Sequence, residues 1–106
     1  MDIGAALIKL KPDSFKNVEN WKNELQQRKN EAIETLKAEG VYVESWFHIK
    51  IDEQDYLIAY MRANNIDEAQ KIAKSSKFDI DQVHKEFKKN WLNVSPASLL
   101  IDLENF

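Results

Sequence analysis

No cysteine occurs in this chain, and glycine, proline and histidine occur only twice each. The absence of cysteine excludes disulfides, thiolate metal sites and cysteine nucleophiles. His48 and His84 are the only imidazoles, and neither has a second histidine or an acid at the spacing of a zinc motif. The glycines do not form a phosphate-binding loop or a nucleophile elbow. The sequence therefore predicts no metal site, and we expect no cofactor.

Long apolar runs and basic clusters are also missing. The first residues, Met1 to Gly4, carry an acid where a secretory signal carries basic residues, and Lys9 and Lys11 interrupt the apolar stretch that follows. We therefore expect no signal peptide, no membrane span and a cytoplasmic location. The formal net charge is -3, and the lysines are interleaved with acids, so the sequence predicts no nucleic-acid-binding face.

What the chain does contain is a regular alternation of strand and helix patterns, in 106 residues that suffice for a single domain over residues 1–106. Period-2 and period-3.6 apolar spacing predict these elements. The strands are predicted at 3–10, 41–51, 56–62 and 99–103, and the helices at 15–39, 66–74 and 79 to about 91. The order β-α-β-β-α-α-β predicts an α+β ferredoxin-like fold, a four-stranded antiparallel sheet with helices on one face.

Several predicted strands are apolar on both faces. A sheet that is covered on one side only would instead alternate apolar and polar residues. In the first strand Ile3 and Leu7 alternate with Ile8 and Leu10. The chain has no spare element for the second face, so we expect a homodimer in which two sheets pack together. The alternative is a monomer that tolerates exposed apolar surface.

The second strand has the clearest alternation. Val41, Val43, Phe47 and Ile49 are predicted on one face, and Tyr42, Glu44, Trp46, His48 and Lys50 on the other. The register of the following hairpin stays open. An odd-numbered turn places Glu44 near Arg62 and Trp46 near Tyr60, whereas an even-numbered turn places Val43 and Ser45 there.

His84 is the most informative candidate, because it lies within a predicted apolar helix stripe that includes Ile80, Val83, Phe87 and Trp91. It could act as a general base or ligand anchor in an apolar pocket, with Tyr60 or Tyr42 as a hydrogen-bond donor. The alternative is a core histidine bonded to a carbonyl or a tyrosine hydroxyl.

Further candidates could line a ligand pocket between sheet and helices: Tyr42, Glu44, Trp46, Phe87, Trp91 and Arg28. Glu44 and Trp46 share a strand face that could instead be half-exposed to water. Arg28 could bind a carboxylate or pair with Glu44 or Glu31, or it could lay its stem over the core with its head in water.

Four strings spread along the chain resemble a bacterial family of unknown function within the dimeric α+β barrel superfamily. They are residues 8–11 with Pro12, residues 39–45, residues 55–58 and residues 99–105. The resemblance implies a ferredoxin-like dimer with a ligand pocket between sheet and helices, and the superfamily includes cofactor-free monooxygenases and cyclases. It also implies a functional His84 three residues before Phe87, but Phe78-Asp79 stands where relatives carry a further His-Pro.

Three functional hypotheses follow. The first is a protein that binds a small, partly aromatic molecule between sheet and helices, near Trp46 and His84. The second is a cofactor-free monooxygenase or cyclase with His84 as base. The third is a structural or protein-interaction dimer without a ligand.

Overall fold

The computed structural model describes residues 1–105, which form a four-stranded sheet and two pairs of helices. The elements are β1 (Asp2–Leu10), α1 (Phe15–Gln27), α2 (Lys29–Glu39), β2 (Val41–Ile51), β3 (Gln54–Ala63), α3 (Ile66–Ser75), α4 (Asp79–Phe87), a 3₁₀ turn (Lys88–Asn90) and β4 (Trp91–Ala97). The sheet is antiparallel throughout, in the order β2-β3-β1-β4. The predicted α+β class is confirmed.

The prediction of one long helix over residues 15–39 is wrong, because the chain breaks at Arg28. Its backbone angles are φ -112° and ψ 35°, outside the helical range, so α1 and α2 are separate. No apolar side chain lies between Leu25 and Ala32, so this stretch has nothing to bury that would keep it straight. α2 ends as predicted at Gly40, whose φ of +72° is the left-handed value that favours glycine.

The predicted fourth strand at 99–103 is also wrong, since β4 is the segment Trp91–Ala97. Asn93, Ser95 and Pro96 are turn-forming residues, and for that reason the sequence predicted a loop there. β4 is an edge strand that pairs only with β1, and an edge position tolerates a proline that donates no hydrogen bond. Residues 98–105 lie outside the sheet.

The hairpin between β2 and β3 turns through two residues, Asp52 and Glu53, with φ values of 50° and 64°. Positive φ at both central residues is the requirement of a type I′ turn. This even-numbered turn places Val43 opposite Arg62 and Ser45 opposite Tyr60, which decides between the two predicted registers.

A register shift between Val41 and Val43 changes the face that the start of β2 presents. Val41 is buried with Ala63 and Ala69 on the helix side, but Val43 lies on the opposite, open side of the sheet. The prediction that Val41 and Val43 share a face is therefore wrong. From Val43 onward the predicted alternation is observed.

The core lies between the sheet and the helices. Its main cluster comprises Ile8, Leu10, Val18, Trp21, Leu57 and Phe87. Leu25, Trp46, Ala59, Val83 and Trp91 pack against it. The helices therefore cover one face of the sheet, as predicted, and the side chains that point into this layer form the candidate site.

Candidate functional site

Five aromatic side chains from four elements meet between the sheet and the helices: Trp21, Trp46, His84, Phe87 and Trp91. We call this set the aromatic cluster. Trp21 of α1 stacks on Phe87 of α4, with ring centroids 4.3 Å apart and planes 9° apart. The His84 ring centroid lies 5.4 Å from that of Trp46 and 6.0 Å from that of Trp91. As predicted, the α4 stripe directs His84 toward the sheet.

His84 has a hydrogen-bond partner in the cluster that the sequence did not indicate. The indole Nε1–H of Trp21 donates to His84 Nδ1 over 3.3 Å. Desolvation in this apolar setting, helped by the nearby Lys88 ammonium, lowers the pKa of His84 to about 4. The ring is therefore neutral at pH 7, with Nδ1 occupied as an acceptor and the proton on Nε2.

Carboxylates from three elements lie near one another beside this cluster, and we call Glu39, Glu44 and Asp81 the acidic cluster. Glu39 ends α2, Glu44 lies on β2, and Asp81 lies in the first turn of α4. Desolvation, then the charges of Asp81 and Glu44, raise the pKa of Glu39 to about 7. Desolvation also raises the pKa of Glu44, although that side chain remains accessible to water. Displaced carboxyl pKa values of this kind are frequent at functional sites.

Two indole N–H groups of the aromatic cluster are buried without a hydrogen-bond partner, those of Trp46 and Trp91. The Trp46 N–H lies close enough to the Glu44 carboxylate to favour its charged form, but outside hydrogen-bond geometry. Lys88 Nζ lies 5.4 Å from the centroid of the Trp91 ring. A buried donor without a partner is costly, so an acceptor at this position would be favoured.

Two of the predicted site residues, Tyr60 and Tyr42, lie elsewhere. Tyr60 lies on the face of the sheet that the helices leave uncovered, whereas His84 lies between the sheet and the helices. The Tyr60 hydroxyl accepts a hydrogen bond from Arg62 Nε. The Tyr42 hydroxyl donates to Asn64 Oδ1 over 2.9 Å. The structure therefore brings together Glu44, Trp46, His84, Phe87 and Trp91, and it separates Tyr60 and Tyr42 from His84.

Arg28 is fully engaged at the helix break. Its guanidinium pairs with Glu24 at 3.1 Å, Glu31 at 2.6 Å and Asp79 at 2.8 Å. Of the two pairing partners considered for Arg28, Glu31 is in contact and Glu44 is not. These hydrogen bonds raise its pKa further above the ordinary value. With three carboxylate partners, Arg28 joins α1, α2 and α4 and has little capacity left for a substrate carboxylate.

Sequence reasoning missed Trp21, Glu39 and Asp81 as neighbours of the candidate site. Trp21 belongs to the recognised apolar stripe of α1, but its contact with His84 spans 63 residues of sequence. The two acids stand at helix ends, where acids and caps are ordinary. Nothing in their spacing indicates that the fold brings them beside Glu44.

His84 lines neither of two surface grooves of the molecule. A groove of about 480 Å³ between α1 and α4 is lined by residues that include Trp21, Val83 and Phe87. A second groove of about 430 Å³ lies near the β2–β3 hairpin and is lined partly by Phe15 and Lys50. Within residues 1–105, no group of three or more acids and histidines is arranged to hold a metal ion. None of the described helices has the length and apolar composition of a membrane span.

The face of the sheet that the helices leave uncovered is strongly apolar, and we call it the open face. By strand alternation it comprises Ile3, Ala5, Leu7, Lys9, Val43, Ser45, Phe47, Ile49, Ile51, Tyr56, Ile58, Tyr60, Arg62, Asn93, Ser95 and Ala97. Phe47 is 56% exposed. Lys9 and Arg62 are its only charged residues among those of the described strands.

Comparison with known proteins gives a family but no activity. A family model with the description "Family of unknown function (DUF6176)" matches residues 1–105. No curated protein matches the chain.

Proposed function

The chain belongs to that family of unknown function, and we propose that it acts as a homodimer of ferredoxin-like units whose open faces pack together. This assembly is the dimeric α+β barrel that the sequence predicts. The strand order β2-β3-β1-β4 supports the ferredoxin-like assignment. The function that follows is that of a protein-interaction module, with the sheet face as its contact surface.

The observation that carries the proposal is the orientation of β2. Its polar side chains, including Glu44 and His48, lie on the helix side, whereas Val43, Phe47 and Ile49 point to water. A half-buried strand normally turns its apolar face to the covered side. Apart from Trp46, which packs in the core, β2 turns its apolar side chains to the open face, and a second layer on that face would bury them.

The size of the open face fits a specific dimer. Four strands spaced about 4.8 Å apart, each about nine residues long at about 3.3 Å per residue, present a face of roughly 600 Å². Two such faces would bury about 1,200 Å² in total, which is the lower end of specific interfaces. The near absence of charge on the open face removes the desolvation cost that charged residues would add.

Light scattering after size exclusion, over a range of protein concentrations, tests this proposal. The wild-type chain should have the mass of a dimer, and Phe47→Lys should shift it to monomer by burying an unpaired charge. Phe78→Lys is the matched control, because Phe78 is also exposed, at 47%, but lies at the start of α4 on the helix layer. A monomeric wild-type chain at every concentration would refute the proposal.

A second candidate function is binding of a small, partly aromatic molecule beside the aromatic cluster. The observation that favours it is the buried Trp46 N–H without a partner next to the Glu44 carboxylate. A ligand with an aromatic ring and a polar group could stack on the indole and satisfy one of these two groups. The cofactor-free monooxygenase or cyclase hypothesis is a narrower form of this candidate, in which His84 is the base.

Nuclear magnetic resonance with 2-phenylethylamine and phenylacetate as probes tests the second candidate. Either probe should shift the Trp46 indole signal in a saturable manner, and Glu44→Gln should change which of the two binds more tightly. If neither probe shifts the signal at millimolar concentration, this candidate loses its support while the dimer proposal stands. If a substrate that is turned over is found, His84→Ala should abolish turnover.

A further inference from the structure

The last described segment, residues 99–105, carries four exposed large apolar side chains, and we call it the C-terminal arm. The exposed fractions are 58% for Leu99, 95% for Leu100, 70% for Ile101 and 83% for Leu103. These residues follow β4 but belong to no strand or helix. Four large apolar side chains on one extended segment therefore remain in water in the isolated chain.

Two acidic side chains of the C-terminal arm, in contrast, form ion pairs with β3. Arg62 Nη2 pairs with Asp102 at 2.8 Å, and Arg62 Nη1 pairs with Glu104 at 2.7 Å. Arg62 Nε donates to Tyr60, so the guanidinium is held from both sides. Since Arg62 and Tyr60 are open-face residues of β3, these contacts fix the arm at one end of the open face.

An isolated chain would be more stable with these apolar side chains buried and the acidic side chains in water, but the arm has the opposite arrangement. The ion pairs of Arg62 are partly exposed to water and contribute modestly to stability, whereas burial of several large apolar side chains contributes more. Within its own chain the arm therefore forms these ion pairs, but its large apolar side chains remain exposed to water. A second surface is needed to bury Leu100 and Leu103.

We propose that Arg62 holds the C-terminal arm in position so that its apolar side chains pack against a second copy of this chain. This inference rests on the proposed dimer and extends its interface from the open face to the arm, which continues that face at Arg62. Arg62 pairs with both Asp102 and Glu104 and so offsets one of their two negative charges, and the arm presents Leu99, Leu100, Ile101 and Leu103 as an apolar surface beside these ion pairs. Such a surface is complementary to the apolar residues of the same region on another copy, and it offers no pairing for a polyanion.

The test measures the dimer dissociation constant by analytical ultracentrifugation. The double variant Leu100→Ser and Leu103→Ser should weaken the dimer by about 30-fold or more, since each dimer loses four apolar side chains. Both positions are almost fully exposed in the single chain, so the variant should fold normally. Ile33→Ser is the control, because Ile33 is an exposed apolar residue of α2 on the helix layer.

A second pair of variants tests the role of Arg62 as the positioning residue. Arg62→Gln should weaken the dimer and make the amides of residues 99–105 exchange with solvent faster than in the wild-type dimer. Lys9→Gln, which removes the other cation of the open face, should change neither. If the Leu100 and Leu103 variant dimerises as tightly as the wild-type chain while Phe47→Lys still gives monomers, the arm inference is overturned and the dimer proposal survives. If the wild-type chain is monomeric, both fail.

Discussion

The buried, neutral His84 predicts that acid destabilises this protein in a way that one substitution can isolate. In the unfolded chain His84 has its ordinary pKa of 6.5, and in the folded chain the aromatic cluster lowers that value to about 4. Between these values the unfolded chain binds a proton and the folded chain does not, so acidification favours unfolding. The stabilising contribution of the neutral His84 is fully present above pH 6.5. It is lost as the pH falls from there through the folded-state pKa.

The size of this effect follows from the two pKa values. Their difference predicts that the His84 contribution to the free energy of unfolding falls by about 2 kcal/mol between pH 7 and pH 5. The reference chain is His84→Asn, because an asparagine oxygen can accept the hydrogen bond of the Trp21 indole but does not titrate. The wild-type chain should therefore lose about 2 kcal/mol more than His84→Asn over this interval.

The reference chain is needed because Glu39 acts in the opposite direction. Its pKa is raised to about 7, so the folded chain keeps a proton that the unfolded chain loses above its ordinary value of 4.5. Its stabilising contribution is present at low pH and is lost as the pH rises through about 7. Both chains retain Glu39, so the comparison between them removes this contribution.

Urea unfolding followed by tryptophan fluorescence, at one protein concentration and at pH 5, 6 and 7, measures the difference. Proton magnetic resonance of the His84 ring should show independently that it stays neutral at pH 5. A difference between the two chains that does not change with pH would refute the reasoning. So would a His84 resonance that titrates near pH 6.5.

Three further predictions concern backbone conformation and ion pairs. Glu53→Gly should raise the free energy of unfolding by up to about 1 kcal/mol in urea titration, because Glu53 holds a positive φ of 64° that glycine adopts without strain; a destabilised variant would contradict the turn assignment. Gly40→Ala should lower the free energy of unfolding by about 1 kcal/mol in the same assay, since φ at the end of α2 is +72°. An unchanged free energy of unfolding would show that the backbone at this cap relaxes. Arg28→Ala should lower the melting temperature in calorimetry more than Lys37→Ala does, because Arg28 joins three carboxylates whereas Lys37 makes one exposed pair with Glu34; equal effects would show that the Arg28 network is not structural.

The sequence determined the elements whose patterns are local. The alternation of Val43 to Ile51 predicted β2, and apolar spacing predicted a helix from residue 66, which is where α3 begins. Its cap is Asn65, whose Oδ1 accepts from the Glu68 N–H over 2.9 Å. The 3.6-residue spacing of Ile80, Val83 and Phe87 placed His84 toward the sheet. These predictions succeed because the signal and the structure that it specifies lie within one or two turns of chain.

Tertiary structure decided what depends on distant partners. Residues 15–39 form two helices rather than one, and Arg28 at the break contacts Asp79, which is 51 residues away. The edge strand β4 forms despite Pro96 because β1 offers a pairing partner on that side alone. The composition of the candidate site likewise depends on three-dimensional placement, since Trp21 and His84 are brought together only when α1 and α4 pack side by side. Pairing with β3 determines which face of β2 the helices cover, and it leaves Val43, Phe47 and Ile49 exposed on the other face.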